Sequence, residues 1–264
     1  MGVRHLSPLS ADILVILPTL GQRPEMLRRA FDSVRAQGSD VHLVVVVPKT
    51  EKKARTLAKS YGATIVDDPG GGMSAAINAG LDRRTNENYY IWLGDDDAFC
   101  AGGLEALRSS MESSPGAVVA YGACEYVNDA GDVVWTSRAG RLARLMLGFG
   151  PNLIPHPAAL IRLDALQEIG GYDPTLQMVM DLDVFLKLKK KGRFVSTSRP
   201  VSQFGWHEDS LTVANRKKSS NEARMVKRRH LPPVLRLIEP LWEYPVQWAS
   251  HLAARSLSRP KAGS

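Results

Sequence analysis

Residues 89–97, YYIWLGDDD, are the most informative segment for the fold of the amino-terminal half. A short apolar run ends here in three consecutive carboxylates, which is typical of a buried strand that delivers acidic side chains to a surface crevice. Adjacent carboxylates repel one another and are costly to desolvate, so a bound cation would compensate for their charge. Their oxygen atoms suit Mg²⁺ or Mn²⁺, metals that also hold substrate phosphates. For an isolated triplet, a solvated acidic turn is the alternative.

Strands and helices alternate around this stretch over the first 110 residues. The continuous β-branched run VHLVVVV at 41–47 is typical of a central parallel strand. We predict strands at 12–17, 41–47, 63–66 and 89–93, and helices at 24–37, 51–61 and 74–81. This alternation predicts an open, mostly parallel, twisted α/β sheet flanked by helices. Ligands bind beyond the carboxyl ends of such strands, and we therefore expect one site to contain Pro18, Thr19, Asp67, Asp68 and residues 95–97.

The second half is less regular. Two apolar segments at 118–127 and 133–135 flank Asn-Asp-Ala-Gly, a pattern that predicts a β-hairpin. Further along, the pattern predicts a strand at 158–162 and helices at 142–149, 164–169 and 182–190. We find neither an internal repeat nor a low-complexity segment.

Composition bounds the class of protein. With 264 residues and 44% hydrophobic content, the chain can bury the core of one large domain. It contains no apolar run of 18 residues, and residues 1–11 lack the apolar core of a signal peptide. Cys100 and Cys124 follow no metal spacing, so we expect reduced thiols and a cytoplasmic protein.

Positive charge is concentrated at the carboxyl end. Residues 215–264 hold 11 Lys/Arg and 3 Asp/Glu, a net charge of +8. Residues 1–214 hold the other 23 Lys/Arg and 24 Asp/Glu, a net charge of −1. We therefore divide the chain into a catalytic domain, 1–214, and a basic, amphipathic helical tail, 215–264. The localised charge indicates an anionic partner.

Apolar residues also recur at helical spacing in this tail. They are Leu237, Leu241, Tyr244, Trp248 and Leu252. Because Pro240 and Pro245 interrupt the segment, we expect short helical pieces. Tryptophans and cations favour an anionic membrane surface, with the protein peripheral on the inner face of the membrane. Few aromatic residues are interleaved with the charges, which disfavours nucleic acid. The alternative is that the apolar residues pack on the body of the protein.

In order along the chain, several motifs resemble the family-2 inverting glycosyltransferases with a GT-A fold. The matching segments are ILPTLGQRPEMLRRAFDSVRAQ at 16–37, GGGMSAAINAGL at 70–81, YIWLGDDDAF at 90–99, GGYDPTLQMVMDLDVFLKL at 170–188, and His207 with Ser210. The resemblance runs from about residue 12 to 213. It implies a GT-A-like domain with a nucleotide-sugar half at about 1–110 and an acceptor half at about 111–214.

Two departures from the family pattern concern the donor site. The family's second strand usually ends in Asp-Asp-Gly-Ser, whose first Asp helps to recognise the base, whereas this chain has Val-Pro-Lys-Thr at 47–50. Asp67 or Asp68 would then take over base recognition. The metal motif usually reads Asp-x-Asp-Asp, and Gly94 occupies its first position here.

The resemblance implies a reaction and a set of site residues. The reaction transfers a sugar from a nucleotide-diphosphate sugar to an acceptor hydroxyl with the help of Mn²⁺ or Mg²⁺. It also implies a role in the synthesis of cell-envelope glycans or glycolipids, with lipid-linked acceptors included. The donor would be bound by Pro18, Thr19, Arg23, Asp67, Asp68, Gly72, Met73, Asn78, Asp95 and Asp96, the metal by Asp96, Asp97 and His207, and the acceptor by His156 and Trp206.

The resemblance also implies the general base: in the acceptor-side motif, a Met-Asp-x-Asp helix start carries the catalytic aspartate, which here is Asp181. Such a carboxylate would take the proton that the attacking hydroxyl must lose. The alternative for Asp181 is an N-cap of the following helix. Asp183 is predicted to be structural. His156 has a buried, hydrogen-bonded core histidine as its alternative, and His207 a hydrogen-bonded loop residue.

Two other functions fit parts of the sequence. A sugar-1-phosphate nucleotidyltransferase can share this sheet, but residues 18–24 lack the Gly-rich, basic loop expected of that class. A non-catalytic binding protein with a basic tail would leave the aspartate triplet and Asp181 unexplained.

Overall fold

The protein consists of one mixed β-sheet with flanking helices. The structure is a computed structural model that describes residues 11–38, 40–128, 130–138, 140, 142–205, 216–242 and 245. The strands are β1 (Ile13–Pro18), β2 (Val41–Val47), β3 (Thr64–Asp67), β4 (Tyr89–Trp92), β5 (Ala98–Phe99), β6 (Ala117–Val127), β7 (Val133–Ser137), β8 (Ala159–Arg162) and β9 (Arg193–Gly205). The helices are α1 (Pro24–Arg35), α2 (Lys52–Ser60), α3 (Met73–Leu81), α4 (Gly103–Glu112), α5 (Leu142–Met146), α6 (Leu163–Glu168), α7 (Met180–Leu188), α8 (Arg216–His230) and α9 (Pro233–Ile238).

The order of the strands brings several chain ends to one edge of the sheet. The main path runs β3-β2-β1-β4-β8-β6-β9-β5, with β7 paired to β6. Strands β1 to β4 are mutually parallel, so their carboxyl ends meet. Strand β8 is antiparallel to β4 and starts at that edge, while β6 and β9, which are parallel to each other, end there. The predicted α/β sheet is confirmed, although antiparallel β8, β7 and β5 make it mixed.

The apolar runs of the first half form strands because helices cover both faces of the sheet. Leu14 and Ile16 of β1 face one hydrophobic cluster, and Val15 and Leu17 face another on the opposite side. Helix α3 lies against β1 at Gly80, where a Cβ atom would come within 2.6 Å of the Ile16 side chain. The Asn-Ala-Gly motif therefore ends in glycine for a packing reason.

Three elements were not anticipated from sequence: β5, α4 and β9. The segment of β9 is largely polar and contains Pro200, and it lacks the strict alternation of a half-buried strand. It is a strand because it pairs along most of its length with buried β6, and the register shifts near Pro200. The end of β9 also pairs with β5, which belongs to the first half of the chain.

The first part of the predicted tail packs on the body. Val226 of α8 is fully buried in the hydrophobic cluster that includes α7. Helices α8 and α9 are separate elements, with Leu231 and Pro232 between them. The interruption predicted at Pro240 and Pro245 stays a prediction, and Tyr244, Trp248 and Leu252 lie outside the described residues. Within the described part of the chain, no helix combines the length and apolar character needed to span a bilayer.

Candidate active site

The carboxylates after β4 meet the loop after β1. The Thr19 hydroxyl donates to Asp95 at 2.5 Å, and the guanidinium of Arg23 pairs with Asp96 at 2.6 Å. Pro18 ends β1 opposite Val46 of β2, which fixes the start of this loop. Burial raises the pKa of Asp95, against the lowering effect of the Thr19 hydrogen bond. The structure thus brings together four of the predicted donor-site residues at one edge of the sheet.

Asp97 is buried and faces inward. Its carboxylate accepts hydrogen bonds from the backbone N–H groups of Gly94, at 3.2 Å, and Gly205, at 3.1 Å. Burial and the nearby charge of Asp96 raise its pKa well above the usual value. A Cβ atom on residue 94 would lie 2.6 Å from an Asp97 oxygen, so glycine in the first motif position leaves room for this inward carboxylate.

The bond to Gly205 connects the aspartate turn to the end of β9. Trp206 and His207 follow Gly205 directly in the chain and lie outside the described residues, as does Ser210. Their predicted acceptor and metal roles therefore stay predictions. The two hydrogen bonds of the buried Asp97 carboxylate give this residue a structural role, because they link the turn after β4 to the end of β9.

At the end of β3, Asp67 is surrounded by cations. Arg55 of α2 donates to it at 2.8 Å and Lys49 lies 3.4 Å away, and the Arg55 hydrogen bond is the main reason that the pKa of Asp67 is lowered. Lys49 belongs to the Val-Pro-Lys-Thr segment that replaces the usual acidic motif. Asp68 instead accepts from the Gly70 N–H at 2.9 Å and shapes the glycine turn.

The glycine turn leads into α3. Gly72 has φ of 93°, a backbone angle that favours glycine, and Met73 begins the helix. The first turn therefore exposes N–H groups that can bind an anion. Asn78 exchanges two hydrogen bonds with the backbone of Tyr172, at 2.8 and 3.0 Å. These two hydrogen bonds connect α3 to the Gly-Gly-Tyr turn. They give Asn78 a structural role that needs no contact with a nucleotide-sugar.

Asp181 lies in the first turn of α7. The helix begins at Met180 with Val179 as its N-cap, so Asp181 does not occupy the N-cap position. The side-chain amide of Asn152 donates to its carboxylate at 2.8 Å. Burial raises the pKa of Asp181 to about 6, although backbone N–H groups and Asn152 favour the charged form. A carboxylate with this pKa is suited to accept a proton near neutral pH.

His156 lies in the core beneath the site. Its ring stacks on Trp92 at 4.7 Å between centroids and 8° between planes, and its Nε2 atom lies 2.7 Å from the Tyr172 hydroxyl. Burial lowers the pKa of His156 to about 3, so the ring is neutral. The core histidine that the sequence left open as an alternative matches this geometry better than a group facing the acceptor.

Three residues of this region were missed as functional candidates. Asn152 contacts Asp181, and Tyr172 connects Asn78 to His156. Glu222 of α8 accepts three backbone N–H groups, from Gln177 at 3.1 Å, Met178 at 2.6 Å and Val179 at 3.0 Å. Asn152 and Tyr172 stood beside recognised motifs, whereas no local signal marked Glu222.

The donor atoms of the aspartate turn fit a divalent cation. Asp95 and Asp96 supply hard oxygen ligands, and their crowding makes a cation favourable. Within the described residues, no three His, Cys, Asp or Glu side chains are arranged to hold a metal by themselves. Ligands from a substrate diphosphate would complete such a site, as is usual for Mg²⁺.

Comparisons with known proteins give a family and a fold. The family model described as "Glycosyl transferase family 2" matches residues 14–170. No curated protein sequence matches the chain significantly.

Similar solved structures include two glycosyltransferase-type chains. S. aureus TarS 1–349 in complex with UDP-GlcNAc has a TM-score of 0.64 and 13% identity, covering 83% of this chain and 66% of the TarS chain. The mannosyltransferase PcManGT from Pyrobaculum calidifontis, in complex with GDP-Man and Mn2+, has a TM-score of 0.63 and 16% identity. The match covers 97% of this chain and 76% of the PcManGT chain. This chain therefore spans just under two thirds of TarS 1–349. At these identities the likeness shows the fold.

Proposed function

The chain belongs to glycosyl transferase family 2, and from this premise we propose that it transfers a sugar from a nucleotide-diphosphate sugar to an acceptor hydroxyl with inversion. The proposal rests mainly on the environment of the Asp181 carboxylate. This carboxylate has a pKa of about 6 and is held by Asn152 in the first turn of α7. The similar structures, which were solved with UDP-GlcNAc and with GDP-Man, support a nucleotide-sugar donor.

Asp181 acts as the general base. Its carboxylate takes the proton of the acceptor hydroxyl while that oxygen forms a bond to the anomeric carbon. The bond between the anomeric carbon and the diphosphate oxygen breaks, and its electron pair leaves with the nucleoside diphosphate. Attack on the face opposite the leaving group gives inversion, and the anomeric centre passes through an oxocarbenium-like state.

The edge formed by Thr19, Arg23, Asp95 and Asp96 binds the diphosphate. Mn²⁺ or Mg²⁺, when bound, neutralises charge that develops on the leaving diphosphate. The guanidinium of Arg23 adds a positive charge at the diphosphate, because it lies beside Asp96, with which it forms an ion pair. The N-terminus of α3 after Gly72 would add backbone N–H groups that can bind the anionic diphosphate. Thr19 holds the Asp95 carboxylate in position through its 2.5 Å hydrogen bond.

Asp67 is the candidate for base recognition. Its carboxylate is about half exposed at the end of β3 and is oriented by Arg55 and Lys49. A carboxylate accepts a hydrogen bond from a ring N–H of a nucleobase, the interaction that the absent Asp-Asp-Gly-Ser motif would supply. Asp68, which is bound to the glycine turn, contributes to the shape of this loop.

The acceptor carries a free hydroxyl and binds on the side of α7. We include lipid-linked glycan precursors of the cell envelope among the candidates, and Trp206, with His207, among the residues that would contact acceptor or metal.

The test is a transfer assay with a panel of nucleotide-sugars in Mn²⁺, with product masses as the readout. Asp181→Asn keeps the size of the side chain but cannot accept the proton, and we expect turnover to fall by about 10²–10⁴. Asp183→Asn is the matched control on the same helix, because Asp183 pairs with Lys187 and His230. Turnover of Asp181→Asn within a few-fold of wild type would refute the assignment of the base.

A further inference from the structure

A row of exposed aliphatic residues runs along α9. Val234, Leu237, Ile238 and Leu241 are 73%, 81%, 45% and 75% exposed. Their spacing of three and four residues places them on one helical face, because Glu239 keeps helical backbone angles and residues 240–242 are helical. Four aliphatic side chains on one exposed face are unusual for a protein that meets water there.

Helix α5 adds a second exposed apolar surface next to this row. Leu142, Leu145 and Phe149 are also exposed. The ring of Phe149 contacts the ring of Trp242, with centroids 5.8 Å apart in an edge-to-face arrangement. This contact joins the segment after α5 to the helical turn that carries Leu241.

Beside the apolar row lies a basic cavity. It has a volume of about 640 Å³ and is lined by Asn221, Arg224, Met225, Arg228, Arg229 and Arg236. Arg224 and Arg228 share the carboxylate of Glu239, and Arg229 pairs with Asp173. Three guanidinium groups thus meet two carboxylates in these ion pairs, and Arg236 adds a fourth that bonds to the backbone oxygens of Leu231 and Arg229. Among the described residues that line the cavity or pair with its lining, cationic charge is therefore in excess. An anionic group would balance this excess.

We propose that the face formed by α9, the end of α5 and the arginine-lined cavity docks on an anionic lipid bilayer. The aliphatic row enters the boundary between headgroups and acyl chains, and the arginines lie at the level of the lipid phosphates. An amphipathic surface with a cationic margin is the physical requirement for such binding. The side chains of the row are aliphatic, which suits acyl chains and offers no ring for stacking on a nucleobase.

Charge argues against the two other occupants of such a face. In a two-fold dimer the same patch would meet its copy, so the arginine clusters would repel each other. Residues 246–264 of this chain contain Arg255, Arg259 and Lys261 and no Asp or Glu, so that segment brings no side-chain carboxylate to the arginines. A bilayer with anionic lipid satisfies the aliphatic and the cationic parts together.

Hydrogen bonds connect the docked face to the acceptor side of the candidate site. Glu222 lies on α8 with three of the four cavity arginines, and its carboxylate accepts hydrogen bonds from the backbone of Gln177, Met178 and Val179 just before α7. Docking would therefore bring the segment before Asp181 close to the bilayer, where a lipid-linked acceptor resides. The binding itself does not depend on the transfer reaction, so a failure of one leaves the other standing.

The experiment measures co-sedimentation of the full chain with two kinds of vesicle, phosphatidylcholine alone and phosphatidylcholine mixed with phosphatidylglycerol. We expect binding to the anionic vesicles that weakens with salt. The double variant Leu237→Gln, Leu241→Gln should bind about tenfold more weakly or worse, because two apolar side chains are lost from the bilayer. Arg236→Gln should weaken binding to the anionic vesicles specifically.

Two matched controls separate this surface from general effects. Val133→Thr with Val134→Thr removes exposed apolar surface from β7 at nearly constant shape, and Arg83→Gln removes an exposed cation beyond α3; both should bind as the wild type does. Circular dichroism melting checks that each variant is folded. Absence of binding by the wild-type chain at low salt, or equal binding by the leucine double variant, would overturn the proposal. A dimer in sedimentation that the leucine variant abolishes would assign the face to a second copy instead.

Discussion

At the scale of single residues, two aspartates on one helix show how environment decides chemistry. Asp181 is held by Asn152, and burial raises its pKa to about 6. Burial also acts on Asp183, but the hydrogen bonds from His230 and Lys187 outweigh it and hold the pKa of Asp183 below the usual value. Two residues apart, one carboxylate is suited to take up a proton and the other to stay ionised in a structural ion pair.

The pH dependence of transfer follows from Asp181. A general base works in its deprotonated form, so the rate should rise with pH through about 6 and become level above it. Asn152 donates to the charged carboxylate and favours it, and Asn152→Ala should therefore move the acidic limb to higher pH. Asn88→Ala, which breaks a similar amide–carboxylate bond to Asp12, is the control and should leave the profile unchanged. An unshifted limb in Asn152→Ala would contradict the assignment.

Asp96 gives the second prediction at this scale. Its carboxylate pairs with Arg23 at the edge proposed to bind the diphosphate, so Asp96→Ala should remove the Mn²⁺-dependent part of nucleoside diphosphate binding in calorimetry. Transfer should fall by about a hundredfold or more, since cation stabilisation of a leaving group contributes several kcal/mol. Asp82→Ala, at the end of α3, is the matched control. Wild-type activity of Asp96→Ala in metal-free buffer would end the argument for a metal.

At the scale of elements, α8 acts as a clamp on the segment that precedes α7. The Glu222 carboxylate accepts three consecutive backbone N–H groups, Arg229 pairs with Asp173, and His230 reaches Asp183. The segment 173–179 contains no helix or strand, so these bonds fix its conformation. Since Asp181 follows directly, the position of the candidate base depends on a helix that is 35 or more residues away in the chain.

Glu222→Gln tests this clamp. One acceptor oxygen is replaced by an amide group that donates, so backbone N–H groups lose a partner and the free energy of unfolding should fall by about 1–3 kcal/mol. Hydrogen exchange should be faster at the amides of Gln177, Met178 and Val179 than in the wild type. Glu168→Gln, which changes an exposed pair with Lys191, should leave these amides protected. Unchanged protection in Glu222→Gln would show that other contacts hold the segment.

At the scale of the whole molecule, the end of β9 connects the second half of the chain to β5 of the first half, and α8 packs on the hydrophobic core. Asp97 bonds to Gly205, which lies 108 residues away, and Val226 is buried in the core shared by α7. The body and the first part of the basic tail are therefore one packed unit, and the remaining cationic and aliphatic surface of α9 faces outward.

Truncation measures this coupling. A chain that ends at Leu231 keeps α8 and should melt in one transition close to that of the full chain. A chain that ends at Gly205 loses the buried Val226 and the three clamp contacts, and it should melt at a clearly lower temperature or aggregate, because burying a side chain such as valine stabilises by about 1.5–3 kcal/mol. Calorimetry of the two chains makes the comparison. Identical transitions would mean that α8 contributes nothing to the fold.

Local sequence patterns were enough to predict the α/β order of the first half and the position of the carboxylates at a strand end. Both follow from local patterns, because a buried strand between helices must be a continuous apolar run and its polar end must lie at the edge of the sheet. The prediction of Asp181 as the base rests on a motif at the start of a helix, which is local as well.

The partners of each side chain, by contrast, depend on how distant segments pack together. Strand β9 is a strand because β6 pairs with it, and its own residues carry no alternating pattern. The inward turn of Asp97, the burial of His156 and the clamp by Glu222 arise from contacts between segments far apart in the chain. The physical reason is that burial and hydrogen-bond partners, which set charge and position, are properties of the packed chain and leave no periodic trace in the sequence.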